Sequence, residues 1–183
     1  MATLGGNGMP NYRRAYATGA CWFFTVNLQD RRQLLLIDKI VLLKQCIKTV
    51  KQQRPFTIHA WVILPEHMHC IWSLPEGDSD YAGRWRAIKK AFSRSIPDTE
   101  FKTSGQIRQR RRGIWQRGYW EHLIRDEADF WHHFDYIHVN PFKHGWVDRV
   151  SDWPHSTFHH YVKAGYYSLE WCGDQTAVIA GDD

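Results

Sequence analysis

Thr57-Ile-His-Ala-Trp-Val-Ile-Leu-Pro-Glu-His-Met-His-Cys-Ile-Trp-Ser-Leu74 is the stretch from which the rest of the chain can be organised. Two runs rich in β-branched and aromatic residues, 57–64 and 68–74, lie either side of Pro65 and Glu66. A breaker between two such runs predicts an antiparallel hairpin. Upstream, 21–28 has the makeup of a buried strand, and 34–53 repeats apolar residues at helical spacing. Downstream, 81–95 reads as a basic helix ended by Pro97, 114–124 as a fourth strand, and 126–139 as a helix stopped by Asn140 and Pro141. The order β-α-β-β-α-β-α predicts an α+β fold: a ferredoxin-like split βαβ with a central antiparallel sheet, extended by one helix. Such a fold packs its helices on one sheet face and leaves the other for a ligand.

A chain of 183 residues, 43% of them hydrophobic, is long enough for one substantial core. The expected organisation is a flexible leader at 1–11, a single domain at 12–165 and a C-terminal tail at 166–183. The net charge of +5 favours a polyanionic partner. Ten Trp, eight Tyr and nine Phe suit either a core or a platform for stacking bases. The four cysteines show no paired spacing and no apolar signal stretch is present, so a reducing cytoplasm is expected. The apolar runs are too short to cross a bilayer, so no membrane association is expected.

His67 and His69 stand two apart in the second hairpin strand, so both imidazoles point to one face while Met68 and Cys70 point to the other. A pair of neutral imidazoles supplies part of the coordination sphere of a divalent ion. Alone, the motif more often describes the polar edge of an amphipathic strand. Glu66, in the turn, is expected to be solvated.

In the last helix Phe130, Phe134 and Ile137 form an apolar stripe, and Asp129, His132, His133, Tyr136 and Asn140 gather on the opposite sector. Tyr136 and Asn140 are one turn apart. A tyrosine hydroxyl beside a metal is a nucleophile for a phosphodiester. Read alone, Tyr136 is also an ordinary half-buried aromatic, and Asn140 an ordinary helix end. Tyr119, Tyr161 and Tyr166 compete for the role, without a neighbouring set of ligands.

The segments Ala60-Trp-Val-Ile-Leu-Pro-Glu-His-Met-His-Cys-Ile-Trp72, Ile114-Trp-Gln-Arg-Gly-Tyr-Trp-Glu-His122, Asp135-Tyr-Ile-His-Val-Asn-Pro-Phe-Lys143 and Asp152-Trp-Pro-His-Ser-Thr-Phe158 resemble the REP-associated tyrosine transposases of the HUH superfamily. The resemblance spans about 12–163, with its blocks in the family's order. It implies that His67 and His69 bind a divalent metal, Mg²⁺ or Mn²⁺, with Asn140 in the third-ligand position, where related single-tyrosine transposases commonly carry Gln. It implies that Tyr136 attacks a DNA phosphate, leaving a 5′-phosphotyrosine and a free 3′-hydroxyl. The implied substrates are repetitive extragenic palindromes folded as single-stranded DNA hairpins, and the implied protein is a monomer or homodimer. Lys89, Lys90, Arg94, Arg108, Arg110, Arg111 and Arg112 are candidates for tracking the hairpin phosphates, although charge runs of this kind are often only solvated surface. A non-catalytic nucleic-acid-binding module on the same sheet fits the charge and the aromatics equally, but has no use for the coincidence of His67, His69 and Tyr136.

Overall fold

Strands β1 (Cys21–Asn27) and β3 (His67–Ser73) are buried along almost their whole length and therefore take the two central places of a four-stranded sheet. Strands β2 (Thr57–Ile63) and β4 (Trp120–Leu123) flank them, giving the order β2-β3-β1-β4 with every neighbouring pair antiparallel. This is the expected ferredoxin-like split βαβ. The structure is a computed structural model and describes residues 18–98, 100, 102–109 and 111–173. The whole of the expected leader and the end of the expected tail lie outside those residues.

The β2–β3 hairpin turns at Pro65 and Glu66 as expected, with the Leu64 N–H donating to the His67 carbonyl at 2.9 Å. Its register against β1 sets Thr25 opposite His69 and Phe24 opposite Cys70. On one sheet face Trp22, Phe24, Val26, Met68, Cys70 and Trp72 pack against helices α2 (Ile40–Gln53) and α3 (Tyr81–Ser95). Trp72 lies between Phe56 and Trp85, each with ring centroids 4.2 Å away. Much of the aromatic content is therefore core.

The opposite face is not left open. Helix α5 (Glu127–Lys143) covers it, packing Phe134, Tyr136 and Ile137 on Phe23, Ala60, Val62 and Ile71. A sheet apolar on both faces must be covered on both, and α5 is the element available for the second.

Three element boundaries differ from expectation. The first helix divides at Lys39 into α1 (Leu35–Asp38) and α2, because Leu36 is drawn into the core with its N–H on the Pro65 carbonyl at 3.0 Å. The fourth strand is short. Gln116 still pairs with Asn27, at 3.0 Å, but the chain then leaves the sheet at Arg117 and Gly118, where the Lys89 ammonium holds the Gln116 and Gly118 carbonyls at 3.2 and 2.8 Å. Helix α5 continues through Pro141, which forfeits only its own N–H. The His144 N–H reaches the Asn140 carbonyl at 3.0 Å, and Gly145, at φ 69°, then turns the chain away.

The basic loop after α3 folds a short helix, α4 (Ser104–Arg108), closed by a capping box between Thr103 and Gln106. After α5 come a 3-10 turn, Val150–Asp152, and helix α6 (Phe158–Lys163). Tyr167 and Trp171, expected in the tail, pack against this C-terminal layer: their rings are 4.3 Å apart, and the Tyr167 hydroxyl donates to Asp135.

Arg84 joins these layers. Only 3% exposed, it donates to Asp78 at 2.6 Å, to the Pro55 carbonyl at 2.6 Å and to the Arg54 carbonyl at 3.2 Å, pinning α3 to the start of β2. Arg84→Ala is expected to cost about 3 kcal/mol in urea unfolding, toward the lower end for a buried pair because Asp78 is partly solvated. The hydrogen bond from Arg84 holds the Asp78 carboxyl below its ordinary 3.8. A depressed folded-state value means stability that is present above 3.8 and lost as pH falls through the folded value. Asp78→Asn is expected to flatten that part of the acid-unfolding curve.

Candidate active site

Alternation along β3 turns His67, His69 and Ile71 toward α5, and burial of both histidines forces their nitrogens to find partners there. The two rings are 4.8 Å apart, and their Nε2 atoms face each other at 3.1 Å. Each outer nitrogen is also tied. His67 Nδ1 meets Glu66 Oε1 at 2.9 Å, and His69 Nδ1 meets Thr25 Oγ1 at 2.9 Å. A carboxylate only accepts, so the proton of His67 sits on Nδ1 and its Nε2 presents a lone pair. The four side chains form one chain of hydrogen bonds, Thr25–His69–His67–Glu66, with Arg31 3.9 Å beyond the carboxylate.

Burial, reinforced by the imidazoles of His67 and His144 and the cations Lys143 and Arg31, pushes His69 well below the usual imidazole range, so it is neutral. Burial alone would raise Glu66, but His67 and Arg31 outweigh it and keep the carboxylate ionised.

Helix α5 runs beside this pair. The Tyr136 ring lies 5.4 Å from that of His69, and the His144 ring 5.6 Å from that of His67. Asn140, one turn from each, belongs to the strip between them. Lys143 Nζ lies 5.0 Å from the centroid of the Tyr136 ring. The helix therefore does not divide into an apolar core face and an opposite polar face as its sequence suggests. Tyr136 is 1% exposed and sits in the same apolar cluster as Phe134 and Ile137, and Asn140 is fully buried. His133 is also buried, whereas His132 is exposed.

The other tyrosines lie elsewhere. Tyr119 stacks with Phe24, Tyr81 and Trp85 on the far face of the sheet, and the Tyr161 hydroxyl donates to the His59 carbonyl. Tyr166 is exposed against Trp131.

The basic residues separate into two sets. Arg112 is committed to the fold: its guanidinium pairs with Glu100 and donates to the Ser93, Ile96 and Pro97 carbonyls beyond α3. Lys89 is held by two carbonyls, as above, and lies over Trp115 and Tyr119. Lys90, Arg94 and Arg111 are exposed and rim a cavity of about 570 Å³, joined there by Arg86 and Arg117, which sequence reasoning did not select. Arg108 is exposed on α4, and Arg110 lies outside the described residues.

The chain and its fold have counterparts among known proteins. No family model matches the chain. It is 51% identical over 174 residues to the REP-associated tyrosine transposase of Escherichia coli K12, covering 95% of this chain and 98% of that protein. The chain belongs to the REP-associated tyrosine transposase family. A putative REP-associated tyrosine transposase of Haemophilus influenzae is 45% identical over 176 residues, covering 95% and 99% of the two chains. Among solved structures, a REP-associated tyrosine transposase bound to a REP hairpin superposes with a TM-score of 0.82 at 51% identity, covering 96% of this chain and 98% of that one. The fold is thus that of the family, and transposase activity is the activity for which its members are named.

The donor set fits a divalent ion. Two imidazole nitrogens converge, their outer nitrogens are fixed by a carboxylate and a hydroxyl, and both side-chain amide atoms of Asn140 are buried without a hydrogen-bond partner. Sequence reasoning missed Thr25, Lys143 and His144 and set Glu66 aside as solvated. The signals were strand register for Thr25 and helical spacing from Tyr136 for the other two. A buried amide with nothing to bond is a cost to the fold, of order 1–3 kcal/mol. Asn140→Leu, similar in size, is accordingly expected to leave the thermal midpoint in EDTA unchanged or higher, by the equivalent of about 1 kcal/mol. A clear loss of stability would show that the amide serves the fold.

Proposed function

We propose that the protein is a metal-dependent single-strand DNA endonuclease and strand transferase that acts on REP-type palindromic hairpins through a 5′-phosphotyrosine intermediate on Tyr136. The observation that carries this reading is the His67–His69 pair, with facing Nε2 atoms 3.1 Å apart and the Tyr136 ring 5.4 Å from His69. A hairpin binder without chemistry has no need for that pair or for a buried, unsatisfied amide beside it.

In this reading His67, His69 and Asn140 would hold Mg²⁺ or Mn²⁺, which would supply Lewis acidity to the scissile phosphate. The protein's own groups do the rest. Glu66 keeps the His67 proton on Nδ1, and the His69 proton, which in the hydrogen-bonded chain lies on Nε2 facing His67, would move to Nδ1 and onto the Thr25 hydroxyl oxygen, so that both Nε2 atoms would offer lone pairs. The phenolic oxygen of Tyr136 gives its proton to solvent and attacks phosphorus, the P–O3′ bond breaks, and the departing 3′ oxygen takes a proton from solvent and leaves as a hydroxyl. The phosphoester stays on Tyr136, so a second 3′-hydroxyl can reverse the step and join a new strand. Lys143 sets a positive charge beside the ring where negative charge collects. His144, exposed next to His67, marks the side from which a phosphate reaches the site.

Lys90, Arg94, Arg108 and Arg111, with Arg86 and Arg117, are the cations placed to meet a hairpin backbone, and the hairpin-bound relative supports that partner. Lys89 and Arg112 shape that surface from beneath. The function is proposed to reside in the body that the sequence delimits as 12–165, in the cytoplasm; among the described residues no helix is long and apolar enough to cross a membrane.

The decisive experiment is incubation with a REP hairpin carrying a single-stranded flank, followed by denaturing electrophoresis and peptide mapping. The wild type is expected to form a denaturation-resistant adduct on Tyr136, lost in excess EDTA. Tyr136→Phe is expected to bind the hairpin and melt as the wild type does, yet form no adduct. An adduct on Tyr119 or Tyr161 sinks the assignment. Replacing Lys90, Arg94 and Arg111 together by Ala is expected to weaken hairpin binding and to flatten log affinity against log salt by about two to three contacts' worth of slope. Arg112→Ala is expected chiefly to lower stability, and an unchanged salt slope in the triple variant would take the hairpin off this surface.

A further inference from the structure

A second group of metal-ligating side chains lies outside the His67–His69 pair. His122 on β4, Asp129 in the first turn of α5 and His133 one turn later converge, with one ligand atom from each lying within 4.8 Å of the others. His122 Nε2 is 2.8 Å from Asp129 Oδ2, and His133 Nδ1 is 3.0 Å from Asp129 Oδ1. The two imidazoles stack at 4.5 Å and 16°, so their planes are nearly parallel, and each nitrogen addresses a different oxygen of one carboxylate.

We propose that His122, Asp129 and His133 form a second divalent-cation site, of the two-imidazole, one-carboxylate class that suits Zn²⁺ or a similar borderline ion. Three protein ligands leave a fourth position for water. Tetrahedral coordination at about 2.0–2.1 Å requires ligand atoms about 3.3 Å apart and lone pairs that meet, so one of the two stacked rings must turn about its side-chain torsions to bring its nitrogen onto an ion shared with the other. Asp129 and His133 are nearly buried, whereas the His122 side chain is 24% exposed and provides the way in. Two contacts must yield. The Arg125 guanidinium, 3.2 Å from Asp129 and 72% exposed, swings into solvent at little cost, and His133 Nδ1 gives up its donated bond to the Asp129 carbonyl at 2.8 Å while its proton moves to Nε2; His122 Nε2, which faces the carboxylate, likewise passes its proton to Nδ1, so that both nitrogens free a lone pair. Burial pushes the Asp129 carboxyl up, but hydrogen bonds from the Arg125 N–H, His122 and the Arg125 side chain bring it down to about 2, so it is ionised and ready to ligate.

This site clamps the edge strand to the helix that carries Tyr136 and Asn140. Phe23 connects the two sites: its ring is 4.8 Å from His133, 5.6 Å from His69 and 6.3 Å from Tyr136. The ion's role is to position the helix, apart from any role of the His67–His69 pair.

The test uses the full chain with His67→Ala, His69→Ala and Cys172→Ser, which removes the first site and the exposed thiol. Cobalt(II) is titrated in and followed by its visible absorption, with Zn²⁺ as competitor. This variant is expected to take up one Co²⁺ with the bands of a four-coordinate, thiolate-free site, and Zn²⁺ is expected to displace it and raise the thermal midpoint. Adding His122→Ala, or separately Asp129→Asn, is expected to weaken uptake by at least about tenfold, since even loss of an outer hydrogen-bond partner commonly costs that much. Circular dichroism checks that each variant folds. The proposal fails if the starting variant takes up no Co²⁺, or if its uptake survives both added substitutions. Because the first pair is already removed, the outcome is independent of whether that pair holds metal.

Discussion

Strand β3 is packed on both faces, and its register against β1 places Thr25 opposite His69. The remainder of the arrangement hangs on that pairing. Side chains alternate along a strand, so a slip of one residue would send Met68 and Cys70 toward α5 and bury His67 and His69 among Trp22, Phe24 and Trp85. The register is held by core on both sides: Met68, Cys70 and Trp72 fit the aromatic layer under α2 and α3, while Ile71 meets the apolar residues under α5. Hydrophobic packing thus fixes the position of two polar groups that are costly to bury.

Helix α5 completes the constraint from the other side. It is sandwiched between the sheet and the C-terminal layer, where Tyr167 and Trp171 stack, so residues on opposite sides of the helix are buried together. Its polar residues are consequently tied or waiting: His138 meets Thr157 and Tyr167, Asp129 meets two histidines, and Asn140 carries an amide with no partner. A fold that tolerates such a group next to two converging imidazoles has accepted a local loss of stability where a ligand can restore it.

Much of this was legible in the sequence. The hairpin around Pro65, the facing of His67 and His69 and the one-turn spacing of Tyr136 and Asn140 all follow from local periodicity. What local periodicity could not show was tertiary. The second helix-covered face was hidden because a helical wheel assumes one buried side, and α5 has two. The continuation through Pro141 was hidden because the cost of a single missing N–H is overridden by packing of the turn beyond it. The short β4 was hidden because Lys89, far away in sequence, takes the carbonyls of Gln116 and Gly118. Glu66 read as a solvated turn residue because nothing nearby in sequence shows that the ring of His67 folds back onto it.

The fate of Arg112 separates residues that composition counts as equal. Its fork-shaped guanidinium answers several main-chain carbonyls and a carboxylate at once, a task that the point charge of lysine cannot perform. Its neighbour Arg111 offers only an exposed positive charge. An exchange of Arg111 for lysine therefore keeps all that the residue offers, whereas position 112 is tied to arginine for as long as the end of α3 keeps its present shape.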